Sequence, residues 1–305
     1  MEDFNVYKDI QARTNGEIYI GVVGPVRTGK STFIKRFMEL MVLPGMEDEN
    51  DKAQTRDELP QSAAGKTIMT TEPKFIPKEA ALIRLGDEIE TKVRLIDCVG
   101  FMVEGAAGHI ENDEERMVKT PWFDYEIPFT KAAEIGTRKV INDHSTIGMV
   151  VTTDGTIGEL KRPNYIEAEE RTIQELKSLG KPFLVLLNSA KPYSEETASL
   201  AKGMEEKYGV KVLPLNCQQL KKEDVYHVLE QVLMEFPITE MDFYIPKWLE
   251  ILPAAHWLKS QVIQAARDMI KKVSRMKDVT ASLFDGSSPN IQAVRVQTKN
   301  LADGT

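Results

Sequence analysis

Short apolar runs alternate along this chain with longer stretches of helical periodicity, separated by breaker residues. Ile18-Tyr19-Ile20-Gly21-Val22-Val23 is a continuous apolar run of strand length. Thr32 to Met41 follows, with Phe33, Phe37, Leu40 and Met41 on one helical face. Phe75–Leu85 and Lys92–Ile96 are strand patterns joined by the turn signal Gly86-Asp87, which predicts a hairpin. From Phe129 the two periods alternate. Helices are predicted over Phe129–Asn142, Tyr165–Leu179, Ser194–Tyr208 and Lys222–Phe236, and strands over Ile147–Thr152, Phe183–Leu187 and Val210–Leu215. That order predicts an α/β fold, a mainly parallel sheet with helices on both faces. The early hairpin makes the sheet mixed.

Three stretches break the alternation. Pro44 to Gly65 carries Glu47-Asp48-Glu49-Asn50-Asp51, and a solvated loop is the expectation. Phe101 to Pro128 is predicted irregular, with flexibility around Gly105 and Gly108. Beyond Pro237 the pattern changes. Met241–Ile245 and Ile291–Gln297 are predicted as short strands, and Trp257–Met276 as a longer amphipathic helix. Its apolar side is Leu258, Val262, Ala265, Met269, Val273 and Met276. Its other side carries Lys259, Arg267, Lys271, Lys272, Arg275 and Lys277. A core-packing helix with a charged outside is favoured over a membrane-surface element. Trp248 and Trp257 are expected to pack.

Composition narrows the class. The chain has 305 residues, and its net charge of −8 argues against a nucleic-acid partner. The two cysteines, Cys98 and Cys217, lie far apart and outside any CxxC pair, which argues against a disulfide scaffold or a zinc site. His109, His144, His227 and His256 lack metal-type spacing. No apolar run reaches bilayer length, and the start Met1-Glu2-Asp3-Phe4 lacks the basic residues of a signal peptide. A cytosolic location with at most peripheral membrane contact is expected.

The chemistry concentrates after the first strand. Gly24-Pro25-Val26-Arg27-Thr28-Gly29-Lys30-Ser31 fits G-x-x-x-x-G-K-[ST]. Glycines let successive backbone N–H groups point into one concavity that receives phosphate oxygens. Lys30 then reaches the β- and γ-phosphates, and the Ser31 hydroxyl holds Mg²⁺. Arg27 is either a phosphate contact or a solvent-facing loop charge. Leu95-Ile96-Asp97-Cys98-Val99-Gly100 ends a strand with Asp-x-x-Gly. In G-domains that Asp serves the Mg²⁺ shell and the Gly N–H touches the γ-phosphate. Thr70 or Thr71, between the two motifs, is the candidate for sensing the γ-phosphate and coordinating the metal.

Two departures from a GTPase stand out. Where Asn-Lys-x-Asp would grip guanine, the chain has Asn188-Ser189-Ala190-Lys191, a cation in place of an acceptor carboxylate. ATP is therefore expected over GTP. After Gly100, where many GTPases place a water-orienting Gln, stands Phe101, which neither donates nor accepts.

These residues give the chain its resemblance to the stage IV sporulation protein A family. They are Gly24 to Thr32, Thr70-Thr71 followed by Glu72-Pro73-Lys74-Phe75, Asp97-Cys98-Val99-Gly100, and the missing guanine motif. The resemblance runs along the whole chain. It implies a P-loop NTPase fold of the G-domain (TRAFAC-like) type over residues 1–237. Residues 238–305 would open a second, α+β middle domain, and the chain would be truncated. It further implies Mg²⁺-dependent ATP hydrolysis coupled to homopolymer assembly of the spore coat base. The polymer would lie on the forespore surface in the mother-cell cytosol. A small amphipathic membrane-anchoring peptide and coat proteins are the implied partners, and the switch threonines map to Thr70 and Thr71. Catalysis is thus expected from Lys30, Thr70, Thr71 and Asp97, and metal binding from Ser31, Thr70 and Asp97. Nucleotide binding is expected from Gly24, Pro25, Val26, Arg27, Thr28, Gly29, Lys30, Ser31, Thr32, Gly100, Asn188 and Lys191. A nucleotide-gated binding module with little hydrolysis and a divergent regulatory GTPase are the alternatives.

Overall fold

The computed structural model describes residues 17–60, 72–85, 89–106, 110–111, 114–280, 283–284, 290–291, 294–296, 299–300 and 304–305. They fall into two compact units, with the division between Val232 and Leu233.

The first unit is built on a six-stranded sheet. Its strands are β1 (Glu17–Val23), β2 (Lys74–Leu85), β3 (Ile89–Asp97), β8 (Ile147–Thr153), β9 (Phe183–Asn188) and β10 (Val212–Leu215). Their spatial order is β10-β9-β8-β1-β3-β2, parallel throughout except for β2, which runs antiparallel to β3. The predicted hairpin is present, although its turn at Gly86-Asp87 lies outside the described residues. The helices are α1 (Lys30–Phe37), α2 (Glu49–Glu58), α3 (Phe129–Lys139), α4 (Pro163–Ser178), α5 (Glu195–Tyr208) and α6 (Lys222–Met234).

Burial on both faces explains the near-continuous apolar runs of the central strands β8 and β9. Val23, Ile96, Val150, Val185 and Leu187 pack against Ile173 and Leu176 of α4 and Ala201 and Met204 of α5. Their neighbours Val22, Leu95, Met149, Val151, Leu184 and Leu186 point to the opposite face and are equally buried. Both faces are therefore covered, and α1 lies against β1 and β3. A buried polar hub fixes the end of β8 beneath the site. Glu169 on α4 accepts from both terminal nitrogens of Arg162 at 2.5 and 2.7 Å, from Thr152 Oγ1 at 2.5 Å and from the Tyr208 hydroxyl at 2.8 Å.

Several expectations need correction. Part of the acidic stretch is helical: Asp48 caps α2 by accepting from Asn50 N at 2.7 Å and Asp51 N at 3.1 Å. Glu49 and Asp51 then sit in the first turn, where negative charge opposes the helix dipole. The acid run is solvent-exposed as expected, but it starts a helix rather than a loop. The segment from Phe101 to Pro128 is not wholly irregular either. It holds two short antiparallel pairs, β4 (Ile110–Glu111) with β5 (Glu114–Glu115), and β6 (Met117–Thr120) with β7 (Phe123–Pro128).

The second unit contains α7 (Lys247–Ile251) and α8 (Trp257–Lys272). Met241–Ile245 forms no strand, and none appears at residues 291 and 294–296, the described part of the other expected strand. The long helix stops at Lys272 because Val273 turns extended, with φ −116° and ψ 140°. Arg275 and Lys277 consequently leave the basic face. They reach the buried Glu235 carboxylate at 2.6 and 2.8 Å. Trp248 and Trp257, expected to pack, are 58% and 59% exposed, each at the start of its helix. Among the described residues, no helix is long and apolar enough to cross a membrane.

Candidate nucleotide site

Strand β1 ends against β3 and β8, so everything that follows Val23 emerges at the carboxyl edge of the parallel strands. That edge is where open α/β sheets place ligands. The loop from Gly24 to Gly29 curls there and hands over to α1, whose first residue is Lys30. Gly29 sits at φ 99°, and a Cβ on it would lie 2.4 Å from Asn188 Nδ2. Only glycine serves at that position.

The loop is held from several directions. Thr28 Oγ1 donates to Pro25 O at 3.0 Å across the curl. Val26 N donates to Phe101 O at 3.0 Å, and Pro25 forms a parallel bridge with Phe101. Asn188 Nδ2 donates to Thr28 O at 2.9 Å, while its Oδ1 accepts from Cys217 N at 3.0 Å. Asn188, expected to touch nucleotide, is therefore engaged in tying the loop to the ends of β9 and β10.

Lys30, Ser31, Asp97 and Gly100 converge. Lys30 is buried and its Nζ donates to Pro25 O at 2.6 Å and Gly24 O at 3.4 Å. Burial pushes its pKa down, opposed by the nearby Cys98 and Asp97. Ser31 Oγ donates to Asp97 Oδ2 at 2.8 Å. Asp97 Oδ1 is buried with no hydrogen-bond partner. Burial pushes the Asp97 carboxyl up, opposed by the Ser31 hydrogen bond and by Lys30. Gly100 has φ 93°, and a Cβ there would sit 2.0 Å from Gly24 O and 2.7 Å from Lys30 Nζ. The Asp-x-x-Gly segment is thus pressed directly onto the phosphate loop.

This arrangement fits a nucleotide with its cation. A buried ammonium held on carbonyl oxygens has donors suited to phosphate anions. An orphaned carboxylate oxygen beside a serine hydroxyl provides the hard oxygen ligands that Mg²⁺ takes, one or two from protein and the rest from phosphate and water. Thr32 follows in α1, half-buried. Thr70 and Thr71 lie outside the described residues.

Arg27 is the only non-glycine residue of positive φ among the described residues, at 60°. A side chain in that conformation costs about 1–2 kcal/mol. Phe101 is buried in an apolar cluster with Val26, Val103, Ala106, Tyr165 and Ala168, and the Arg171 guanidinium lies 4.7 Å above its ring. It is a packing residue. Lys191 is exposed just beyond β9; its N–H donates to Ser189 Oγ at 3.0 Å and its carbonyl accepts from Thr197 Oγ1 at 3.1 Å.

One organiser of this region escaped the sequence analysis. Asp154, just past β8, accepts from Thr156 N at 2.9 Å and Thr156 Oγ1 at 2.6 Å. Thr156 Oγ1 in turn accepts from Ala190 N at 2.8 Å. Burial alone would push Asp154 up, but hydrogen bonds from Ser189, Thr156 and Thr197 outweigh it and hold the carboxyl below its usual range. The signal was the turn chemistry of Asp154-Gly155-Thr156 at a strand end.

Residues 1–237 match the family model described as Stage IV sporulation protein A, ATPase domain. Residues 238–305 match that described as Stage IV sporulation protein A, middle domain. The chain is 51% identical over 279 residues to the Stage IV sporulation protein A of Bacillus subtilis (strain 168), covering 92% of this chain and 57% of that protein. It is 54% identical over 275 residues to the protein of the same name from Clostridioides difficile (strain 630), covering 90% and 56%. The chain thus spans little more than half the length of these relatives.

Proposed function

Since the chain belongs to the stage IV sporulation protein A family, we propose that it binds ATP in the Gly24–Thr32 loop and hydrolyses the β–γ bond. The observation that carries this reading is the convergence of buried Lys30, the Ser31–Asp97 pair and Gly100 on one loop. Lys30 would neutralise phosphate oxygens. Ser31 and Asp97 would hold Mg²⁺, with Thr70 or Thr71 completing the shell. The ion would supply charge neutralisation between the β- and γ-phosphates. Gly100 would give its backbone N–H to the γ-phosphate. Asn188 orients the loop.

ATP is the proposed nucleotide because Lys191 occupies the place of the guanine-reading carboxylate. ATP should bind at least about tenfold more tightly than GTP, roughly 1.4 kcal/mol or more. Competition titration checks this, and equal affinities would defeat it. In the full-length protein we propose that turnover drives self-assembly of a coat base layer on the forespore surface, in the mother-cell cytosol. Contact with a small amphipathic anchoring peptide and with coat proteins belongs to that proposal. A second reading, a nucleotide-gated scaffold with little hydrolysis, is favoured by one observation. Phe101 is buried under Arg171 where a water-orienting side chain would stand.

A further inference from the structure

The loops that follow β9 and β10 lie beside the phosphate loop. Asn188 joins all three, since its amide donates to Thr28 O at 2.9 Å and accepts from Cys217 N at 3.0 Å. A nucleotide with its phosphates on Gly24–Thr32 would lay its base against these two loops. Their backbone donors are engaged one after another. Ser189 N donates to Leu215 O at 2.9 Å, Ala190 N to Thr156 Oγ1 at 2.8 Å and Lys191 N to Ser189 Oγ at 3.0 Å. Beyond β10, Cys217 N is held by Asn188, and Gln218 N donates to Asn216 Oδ1 at 3.0 Å. A carbonyl oxygen keeps a second lone pair after accepting once, whereas an N–H has nothing left after donating. This wall offers acceptors and withholds donors.

Among these donors, Ala190 N is capped from outside the two loops, by a hydroxyl 34 residues earlier in the chain. Asp154 sets the direction of that cap. A carboxylate only accepts, so the Thr156 hydroxyl spends its one proton on Asp154 Oδ1 at 2.6 Å and turns a lone pair to Ala190 N. Donating to an anion also strengthens the hydroxyl as an acceptor. Ala190 and Thr156 are both exposed, so water would satisfy the Ala190 N–H in the absence of Thr156. Burial does not demand the cap, which leaves recognition as its use.

Building on the ATP reading of this site, we propose that Thr156 is a specificity-determining positioning residue. By capping Ala190 N it removes a donor that a base with a 6-carbonyl, guanine or hypoxanthine, would need, and leaves a wall suited to the 6-amino group of adenine. Adenine presents a donor at that position and guanine an acceptor. A carbonyl that leaves water for a wall without donors loses a hydrogen bond, while an amino group on the same wall finds one. The effect is separate from that of Lys191, which replaces the carboxylate that would accept from the guanine N–H groups.

Competition titrations of ATP, GTP and ITP against the full-length protein and its Thr156→Ala and Thr156→Ser variants test this. ITP carries the 6-carbonyl of guanine without its 2-amino group, so it isolates the contact at position 6. Thr156→Ala uncovers Ala190 N, while the turn keeps the bond from the residue 156 N–H to Asp154 Oδ1, 2.9 Å long in the parent. Both substitutions fall at an exposed position and open no cavity. In Thr156→Ala, ITP and GTP should each gain about tenfold relative to ATP, the worth of one hydrogen bond, with ATP affinity itself changed less than about threefold. Thr156→Ser retains the hydroxyl and should keep the parental ratios. A purely structural contact would weaken all three nucleotides alike, and that result would overturn the proposal. So would an unchanged ITP-to-ATP ratio in Thr156→Ala, or a ratio in Thr156→Ser shifted as far as in the alanine variant. Equal parental affinities for ATP and GTP sink the ATP reading beneath the proposal, whereas a parental ATP preference that Thr156→Ala leaves intact sinks the proposal and spares that reading.

Discussion

Lys30→Ala is expected to lower ATP affinity by about a hundredfold, in line with the roughly 1.5–3 kcal/mol that a charge-bearing hydrogen bond contributes. The ammonium is buried and donates to Pro25 O and Gly24 O of its own loop. Bound phosphates would replace those carbonyls with anionic oxygens, a stronger partner for a desolvated cation. Alanine removes that gain entirely. The fold loses little, because deleting a buried charge also deletes its desolvation penalty. Titration of a fluorescent ATP analogue together with thermal denaturation separates the two effects. The expected result is a large loss of binding at nearly constant melting temperature. Parental binding by Lys30→Ala would remove the phosphate loop from the account.

Asp97→Ala is expected to show the opposite signature, with nucleotide still bound and turnover reduced about a thousandfold, the effect of losing a metal that would contribute several kcal/mol of transition-state stabilisation. Asp97 contributes one oxygen to Ser31 Oγ at 2.8 Å and leaves the other buried without a partner. The loop proposed to grip phosphate is fixed by other contacts, those of Thr28, Val26 and Asn188, and is expected to survive the substitution. Single-turnover phosphate release alongside analogue binding checks the division. Loss of binding equal to the loss of rate would instead make Asp97 a structural support of the loop.

Much of this site could be read from the residues because its chemistry is local. Gly24 to Ser31 and Asp97 to Gly100 are contiguous strings whose backbone geometry follows from glycine positions and strand ends. The parallel sheet could be read for a similar reason: apolar runs buried on both faces leave little room for another assignment. What escaped depends on contacts distant in sequence. The part Asn188 plays in holding the loop is visible only once its amide is seen between Thr28 and Cys217. Asp154 is ordinary turn chemistry until Thr156 joins it to Ala190. The acidic run from Glu47 reads as a loop in sequence because charge density hides its capping residue, Asp48. The basic helix reads longer in sequence than its end at Lys272 because Arg275 and Lys277 serve Glu235, a partner some forty residues earlier in the chain. Fold followed from periodicity, while the division between gripping nucleotide and positioning the loop required three dimensions.

The claim that turnover drives assembly is tested most directly by sedimentation of the full-length protein with ATP, with a non-hydrolysable analogue, and without nucleotide. The segment starting at Asp97 lies directly against the phosphate loop. A change in the γ-phosphate is the event that shifts such segments between two arrangements. The account predicts sedimentable polymer with ATP, little with the analogue, and little without nucleotide. Polymer forming equally well with the analogue would contradict it and leave the nucleotide-gated scaffold as the better description.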